Sequence, residues 1–282
     1  MLGRFFMRKR VVFSLLLLLA AAVYLQDRYG TVYFYTTQDY HPLPHTYVIN
    51  LDRDTERYQF MKEQLNRVGM EHERFPAVDG YKLEIEDLST GEVFLGQEIK
   101  NGRSLSKKAK YLVHCPTTDW IYNFSRRKQY LKAGEFGCVA SHLEVLKDMK
   151  EKGYEFALVL EDDVRFCPGF REEIDVVLHH LPSNWDLCYL YYSKNAAQQA
   201  KSLYQNPCVK KLPLGTAFTC AYLVHHSAID RLLKALTTCN RPVDYMYRTL
   251  TKHKKVAAYA AYPMLVEHDC FTSTIKEMGR NH

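Results

Sequence analysis

The sequence predicts an α/β protein whose mainly parallel central sheet carries helices on both faces. Two observations predict it. From His45 onward, short apolar runs alternate with stretches whose apolar residues recur at helical spacing, the βαβα order of parallel sheets. The composition, 47% hydrophobic and 25% charged over 282 residues, is that of a globular chain long enough to bury a stable core without disulfides. It excludes a disordered chain, a collagen-like repeat and a multi-pass membrane protein. The formal charge of +6 does not signal nucleic acid: Arg4, Arg8, Lys9 and Arg10 precede the first acid and supply +4, leaving a body of only +2. Phosphate-backbone binding draws on clustered Lys and Arg across the folded surface.

The first element is a targeting segment. Val11 to Leu25 holds 15 uncharged, mostly apolar residues behind Arg8–Arg10. As a helix it spans about 22 Å at ~1.5 Å per residue, short of a ~30 Å hydrocarbon core. A cleaved signal peptide would use the Ala20–Ala22 run as its small-residue site. A retained anchor would keep the basic end cytosolic, and Arg10 can snorkel to shorten the mismatch. The anchor is the reading adopted: residues 1–10 as a cytosolic basic tail, 11–25 as the membrane span, 26–44 as a stem and 45–282 as a luminal domain in the endoplasmic reticulum or Golgi. Both readings export the body. The eight cysteines are dispersed with no CxxC pair, so no zinc site is expected. In a lumen some could pair, while Cys138, Cys188 and Cys220 sit in strongly apolar stretches as small buried hydrophobes. Asn123-Phe124-Ser125 is a glycosylation sequon.

The body is read in order. His45–Leu51 is a buried strand. Asp54 or Thr55 then caps a helix through about Val68, with Tyr58, Met61 and Leu65 on one face and Gly69 as the stop. A strand over Glu73–Val78 ends at the turn dipeptide Asp79-Gly80. Residues 81–132 show no sustained period, and 100–132 carry nine basic residues against the single acid Asp119, a local charge of +8. That segment reads as a flap over a diphosphate, a grip for an anionic acceptor, or a solvated loop; Trp120 and Tyr122 would be sugar-stacking platforms or loop anchors. Gly134 opens a helix in which Phe136, Val139, Leu143, Leu146 and Met149 keep helical spacing. Phe156–Leu160 is a buried strand that runs directly into Glu161-Asp162-Asp163. Helix 170–180, strands 186–192 and 217–224, helix 227–238, a short helix near Tyr245 and a strand over 256–262 complete the pattern.

In open α/β sheets, ligands bind at the carboxyl ends of the strands. Three polar clusters fall there: Asn50 with Asp52 and Arg53, Asp79 with Gly80, and Glu161–Asp163. Adjacent carboxylates at the rim of a core repel unless a cation neutralises them. Oxygen donors select Mg²⁺, Mn²⁺ or Ca²⁺, and such an ion can stabilise a departing diphosphate. The plain alternative is a solvated strand end.

Four ordered blocks carry a resemblance: YVINLDRDTER (47–57), RFPAVDG (74–80), GEFGCVASHLEVLK (134–147) and LVLEDDVRF (158–166). Together they resemble glycosyltransferase family 25, with weaker similarity at Pro242–Asp244 and Pro263–Ile275. The resemblance implies a GT-A type nucleotide-sugar-binding fold, a UDP-sugar donor, Mn²⁺ or Mg²⁺, and inverting transfer of a hexose, galactose before glucose, to a glycan or hydroxylated protein acceptor. A catalytically inactive, glycan-binding or scaffolding relative is the alternative. Asn50, Arg53, Arg57 and Asp79 would line the nucleotide pocket, Arg57 being equally readable as a structural partner of a helix acid. Ser141 and His142 fall one turn into their helix near the donor, Ser141 as a donor contact and His142 as either a catalytic or a structural group. Glu135, at the helix start, needs no role beyond the dipole. Asp163 would bind the metal, with His268 or Asp269 as a distal ligand. Glu161 or Asp162 would orient the ribose or the metal's water, Glu161 as a donor contact and Asp162 as a catalytic group. Asp244 would be the general base or a helix N-cap, with Asp269 or Glu267 next in line.

Overall fold

The computed structural model describes residues 43–106, 108–124, 131–203 and 206–268. The basic tail, the apolar run 11–25 and nearly all of the stem lie outside those residues, as do Asp269 and Cys270. Among the described residues no helix is long and apolar enough to cross a membrane.

The chain runs β1 (His45–Asn50), α1 (Thr55–Arg67), β2 (Glu73–Pro76), β3 (Glu84–Asp87), β4 (Glu92–Leu95), α2 (Gly96–Lys100), β5 (Lys110–His114), β6 (Trp120–Asn123), α3 (Ala133–Lys152), β7 (Phe156–Glu161), β8 (Arg165–Phe166) and α4 (Phe170–His180). It continues through β9 (Leu187–Tyr189), α5 (Lys194–Gln199), β10 (Lys201–Leu203), β11 (Asn206–Lys211), β12 (Ala221–His225), α6 (Ile229–Leu236), β13 (Thr238–Cys239), α7 (Val243–Lys252), β14 (Ala258–Ala261) and β15 (Val266–Glu267). An eight-stranded sheet has the order β10-β11-β14-β9-β12-β7-β1-β2.

Alternation along its central strands explains the two covered faces. Tyr47 and Ile49 of β1 and Val159 of β7 pack with Phe136, Val139 and Leu143 of α3 and with Ile229 and Leu232 of α6. Val48, Leu158 and Leu160 point the other way, onto Met61 and Leu65 of α1 and Ile174 and Val177 of α4. Helices on both faces are as expected. The mainly parallel sheet is not: β12 runs antiparallel to both β7 and β9, and β11 antiparallel to both β10 and β14. Only β1/β2, β1/β7 and β9/β14 are parallel, so the sheet is mixed. A strand buried on both faces reads as a continuous apolar run whichever way it points, so direction is absent from the pattern.

Strands β3 to β6, from the stretch where no period was evident, join β13 (Thr238–Cys239) in a second sheet of order β13-β6-β5-β3-β4. Its strands β3 and β4 bury one side chain each, Ile85 and Phe94, too few for an alternation signal. Trp120 and Tyr122 are buried in β6, at 1% and 2% exposure, with their rings 5.6 and 5.0 Å from that of Phe136. They anchor this sheet to α3 and do not serve as sugar platforms. Within the described part of the basic segment, Lys110–His114 and Trp120–Asn123 are strand and the remainder is mostly turn and loop. Among the described residues Cys115, Cys138, Cys167, Cys188, Cys220 and Cys239 carry free thiols.

Two glycines bring loop 77–80 onto α3. A Cβ on Gly80 would stand 1.8 Å from the Ala133 carbonyl oxygen, and one on Gly137 would stand 2.5 Å from that of Val78. Backbone meets backbone here because neither residue has a side chain.

Candidate functional site

The parallel register of β1 and β7 pairs Ile49 with Glu161, and that of β1 and β2 pairs Asn50 with Pro76. The carboxyl ends of three strands thus converge, and loop 77–80 and the amino-terminal half of α3 close the opposite side. The pocket between them is lined by Arg53, Arg57, Asp79, Ser141, His142 and Glu161–Asp163, so eight of the sequence-derived candidates share one cavity.

Asn50 sits beneath it, fully buried. Its Nδ2 donates to Asp162 Oδ2 at 2.6 Å and to the Asp54 carbonyl at 2.9 Å, and its Oδ1 accepts from Arg74 Nε at 2.9 Å. Asn50 thus holds Asp162 in place from beneath the pocket. Arg74, which also pairs with Asp52 at 2.7 Å, belongs to the RFPAVDG block but carried no sequence signal of its own.

The acidic triplet splays in three directions. Arg57 donates to Asp162 at 2.7 Å and approaches Asp163 at 3.3 Å, so the neutralising cation expected at this strand end is supplied by the chain itself. Arg57 pairs with the triplet, not with a helix acid. Burial pushes the Asp162 carboxyl up to about 6, against the pull of Arg57 and the Asn50 hydrogen bond. Asp163 faces His268, whose Nε2 is 3.6 Å from its Oδ2. A carboxylate oxygen and an imidazole nitrogen at that separation fit the donor preference of Mn²⁺, with Mg²⁺ favouring the oxygen alone.

Glu161 turns the other way. Its Oε1 lies 3.3 Å from His142 Nε2 and accepts from the Thr219 hydroxyl at 3.3 Å. Burial works to raise this carboxyl, but His142, the charge of His268 and the Thr219 hydroxyl outweigh it and hold it below the ordinary range. The other ring nitrogen of His142 lies 2.9 Å from the Tyr222 hydroxyl. His142 is thus sandwiched between Tyr222 and Glu161, and its visible task is to orient that carboxylate; Tyr222 and Thr219 were not found by sequence reasoning. Ser141 lies about two turns into α3, not one: eight residues separate it from Ala133, at about 3.6 per turn. Its hydroxyl donates to the Gly137 carbonyl at 2.7 Å and accepts from Val78 N–H at 2.9 Å. It fastens loop 77–80 to the helix while lining the pocket.

At the mouth, Arg53 bridges to Asp79 at 2.5 Å, and Asp79 also accepts from the Tyr81 N–H at 3.2 Å. The Arg53 guanidinium and the Lys100 ammonium lie 6.0 and 5.5 Å from the Tyr81 ring centroid. An aromatic face flanked by two cations suits a phosphorylated ring ligand. Glu135 accepts from the Lys132 N–H at 2.7 Å, a capping contact beyond the dipole expected at the helix start.

Asp244 is the second residue of α7, whose N-cap is Pro242, so it is not the cap. Its Oδ1 accepts from the Tyr245 N–H at 2.7 Å. Burial first, then the negative charges of Glu161 and Glu135, push its carboxyl up to about 6. Asp244 is therefore within electrostatic reach of the pocket without lining it. Glu267 is exposed in β15.

A family model described as glycosyltransferase family 25 (LPS biosynthesis protein) matches residues 43–247, which contain every candidate above except His268 and Glu267. A glycosyltransferase 25 family member of Aedes aegypti is 26% identical over 238 residues, covering 79% of this chain and 35% of that protein. Procollagen galactosyltransferase 1-B of Xenopus laevis is 32% identical over 47% of the chain and 22% of its own length. The human inactive glycosyltransferase 25 family member 3 is 27% identical over 51% of the chain and 21% of its length. The chain spans about a third or less of each of these relatives. The family model covers well over half of the chain, including both walls of the pocket and the acidic strand end. The chain belongs to glycosyltransferase family 25.

Proposed function

We propose that the chain is a metal-assisted, inverting glycosyltransferase of the GT-A type that moves a hexose from a nucleotide sugar, UDP-galactose first, to a hydroxyl of a glycan or hydroxylated side chain. The observation that carries this reading is the convergence of Asp162, Asp163 and Arg57 with Arg53 and Asp79 at the carboxyl ends of β1 and β7. Galactose is preferred because relatives bear the name procollagen galactosyltransferase. Arg53, with Tyr81, would grip the nucleotide diphosphate. Asp163 and His268 would hold Mn²⁺ or Mg²⁺, which supplies charge neutralisation for the departing diphosphate. The Asp244 carboxylate would take the proton of the acceptor hydroxyl while that oxygen bonds to the anomeric carbon and the bond to the diphosphate breaks. The apolar run 11–25 would hold the domain on the luminal face of an early secretory membrane.

A second reading, a non-catalytic binder, is favoured by Arg57, which already pairs with Asp162 and Asp163 without an ion, and by the inactive human relative. Donor hydrolysis separates the two. Purified chain incubated with UDP-galactose or UDP-glucose should release UDP only when Mn²⁺ is present, and Asp163→Ala should release at least tenfold less. No UDP release from any nucleotide sugar, with or without Mn²⁺, would leave the binder.

A further inference from the structure

The pocket floor carries a donor set that the acid-based reading does not use. One donor atom from each of Cys138, His142 and Glu161 lies within 4.8 Å of the other two. Cys138 and His142 are spaced i, i+4 on α3, so they share a helix face, and Glu161 reaches them from the end of β7. This is a thiol, an imidazole and a carboxylate, a softer set than the oxygen-rich pair at Asp163. The dispersed cysteines without a CxxC pair led to no zinc expectation, because the ligands here are one cysteine, a histidine one turn on and an acid from a distant strand.

We propose that Cys138, His142 and Glu161 form a site for a borderline divalent ion, zinc, with its fourth position open to the pocket.

Three features of the geometry support it. Two ligands bound about 2.0–2.2 Å from a tetrahedral zinc stand about 3.3–3.5 Å apart, and His142 Nε2 and Glu161 Oε1 are already 3.3 Å apart. The Cys138 sulfur lies within 4.8 Å of both other donors, against about 3.5 Å in a tetrahedral site with a Zn–S bond of about 2.3 Å. The outer partners are also in place. His142 Nδ1 lies 2.9 Å from the Tyr222 hydroxyl, the contact that leaves Nε2 free to ligate, and the Thr219 hydroxyl steadies Glu161. Second partners of this kind fix the ring and the tautomer of metal-binding histidines. Binding would release the Cys138 thiol proton to solvent and form a zinc–thiolate bond. Three protein ligands with one open position is the arrangement of zinc sites that exchange water or ligands, not of closed structural ones.

Cobalt is the probe. Titrating Co²⁺ into the purified full chain, with no nucleotide sugar or acceptor, should produce a thiolate-to-cobalt charge-transfer band that saturates at one equivalent and is displaced by Zn²⁺. Cys138→Ser should abolish the band, and Tyr222→Phe, which leaves all three ligands, should weaken Zn²⁺ about 10–100-fold. Zn²⁺ should also protect Cys138 from alkylation in the unaltered chain, a readout that survives if Cys138→Ser fails to fold. The proposal is overturned by cobalt binding without a thiolate band, by a band that persists in Cys138→Ser, by unchanged zinc affinity in Tyr222→Phe, or by no binding at all. Asp163→Ala should retain the cobalt band while losing Mn²⁺-dependent UDP release, which keeps this test distinct from that of the proposed activity. One consequence rests on the activity reading: because the site uses the pocket floor, added Zn²⁺ should lower transfer in competition with the donor.

Discussion

Arg57 decides how the acidic strand end tolerates itself. Its guanidinium and the two carboxylates it meets are about one-tenth exposed, so this is a nearly buried charge cluster. Removing one partner of such a cluster strands the others, at a cost of about 3–5 kcal/mol. Arg57→Ala should therefore lower the urea-unfolding free energy by roughly 3 kcal/mol in chelator. Mn²⁺ at a hundredfold excess over its dissociation constant should return about 2.7 kcal/mol by binding only the folded state. No recovery with Mn²⁺ would mean that the ion does not sit at these acids. Asp244 makes a second case at this scale. Its folded carboxyl titrates near 6, above the usual aspartate value. The folded state thus holds a proton between about pH 4 and pH 6 that the unfolded chain has lost. Stability from this group is highest below about pH 4, falls as pH rises to about 6, and stays reduced above it. Asp244→Asn should flatten that decline and gain about 1–2 kcal/mol at pH 7, a figure discounted for partial exposure. The same substitution removes the proton acceptor, so transfer should fall about 10²–10⁴-fold while donor affinity holds. The unaltered enzyme should lose rate below about pH 6 as the carboxylate protonates. A near-normal rate in Asp244→Asn would move the base elsewhere.

At the scale of elements, the site depends on how closely loop 77–80 rides on α3. A Cβ at position 137 would meet the Val78 carbonyl oxygen at 2.5 Å and the Gly80 nitrogen at 2.6 Å, both backbone atoms that cannot rotate away. Gly137→Ala should cost about 1–3 kcal/mol by overpacking and, because Asp79 moves with the loop, weaken donor binding at the Arg53–Asp79 mouth. Thermal unfolding and nucleotide titration would read both; an unchanged melting temperature would mean that the loop is free to retreat. The elements that make this junction were readable beforehand. β1 and β7 announced themselves as apolar runs, α1 and α3 as helical stripes, and the polar residues at strand ends marked the pocket. What was not readable follows from short-range signals being weak or ambiguous. Ile85 and Phe94 alone cannot announce β3 and β4, and the direction of β12 has no period. The protein partners of Asn50 and Ser141 were not foreseen, because a polar side chain's partner is set by residues far away in sequence: Arg74 and Asp162 for one, the Val78 amide for the other. Tyr222 was invisible for the same reason, reaching His142 across 80 positions.

For the whole molecule, the question is whether the two sheets and their helices unfold together. Residues 41–282 form one compact unit by chain contacts. Side chains of the five-stranded sheet, Ile85, Phe94, Val113 and Trp120, lie in the same apolar cluster as Phe136, Leu143 and Val159 beneath the large sheet. The other face of the large sheet has its own cluster, which holds Trp185 together with Val48, Leu158 and Leu160. The two clusters are separated only by the sheet that both of them cover. Neither keeps its burial if the sheet opens, so loss of one should take the other with it, the cooperative behaviour of a single domain. The two tryptophans of the chain report one cluster each. In fragment 41–282, Trp120→Phe leaves Trp185 as the fluorescent probe and Trp185→Phe leaves Trp120. Each substitution shifts stability, so each variant is compared with its own far-ultraviolet circular dichroism. In both, fluorescence and dichroism should give one coincident urea transition with the same midpoint. The nucleotide sugar should raise that midpoint for both probes, although only the Trp120 cluster includes side chains of α3. If the Trp120 probe unfolds before the dichroism does, the five-stranded sheet is a separate unit that opens without disturbing the large sheet.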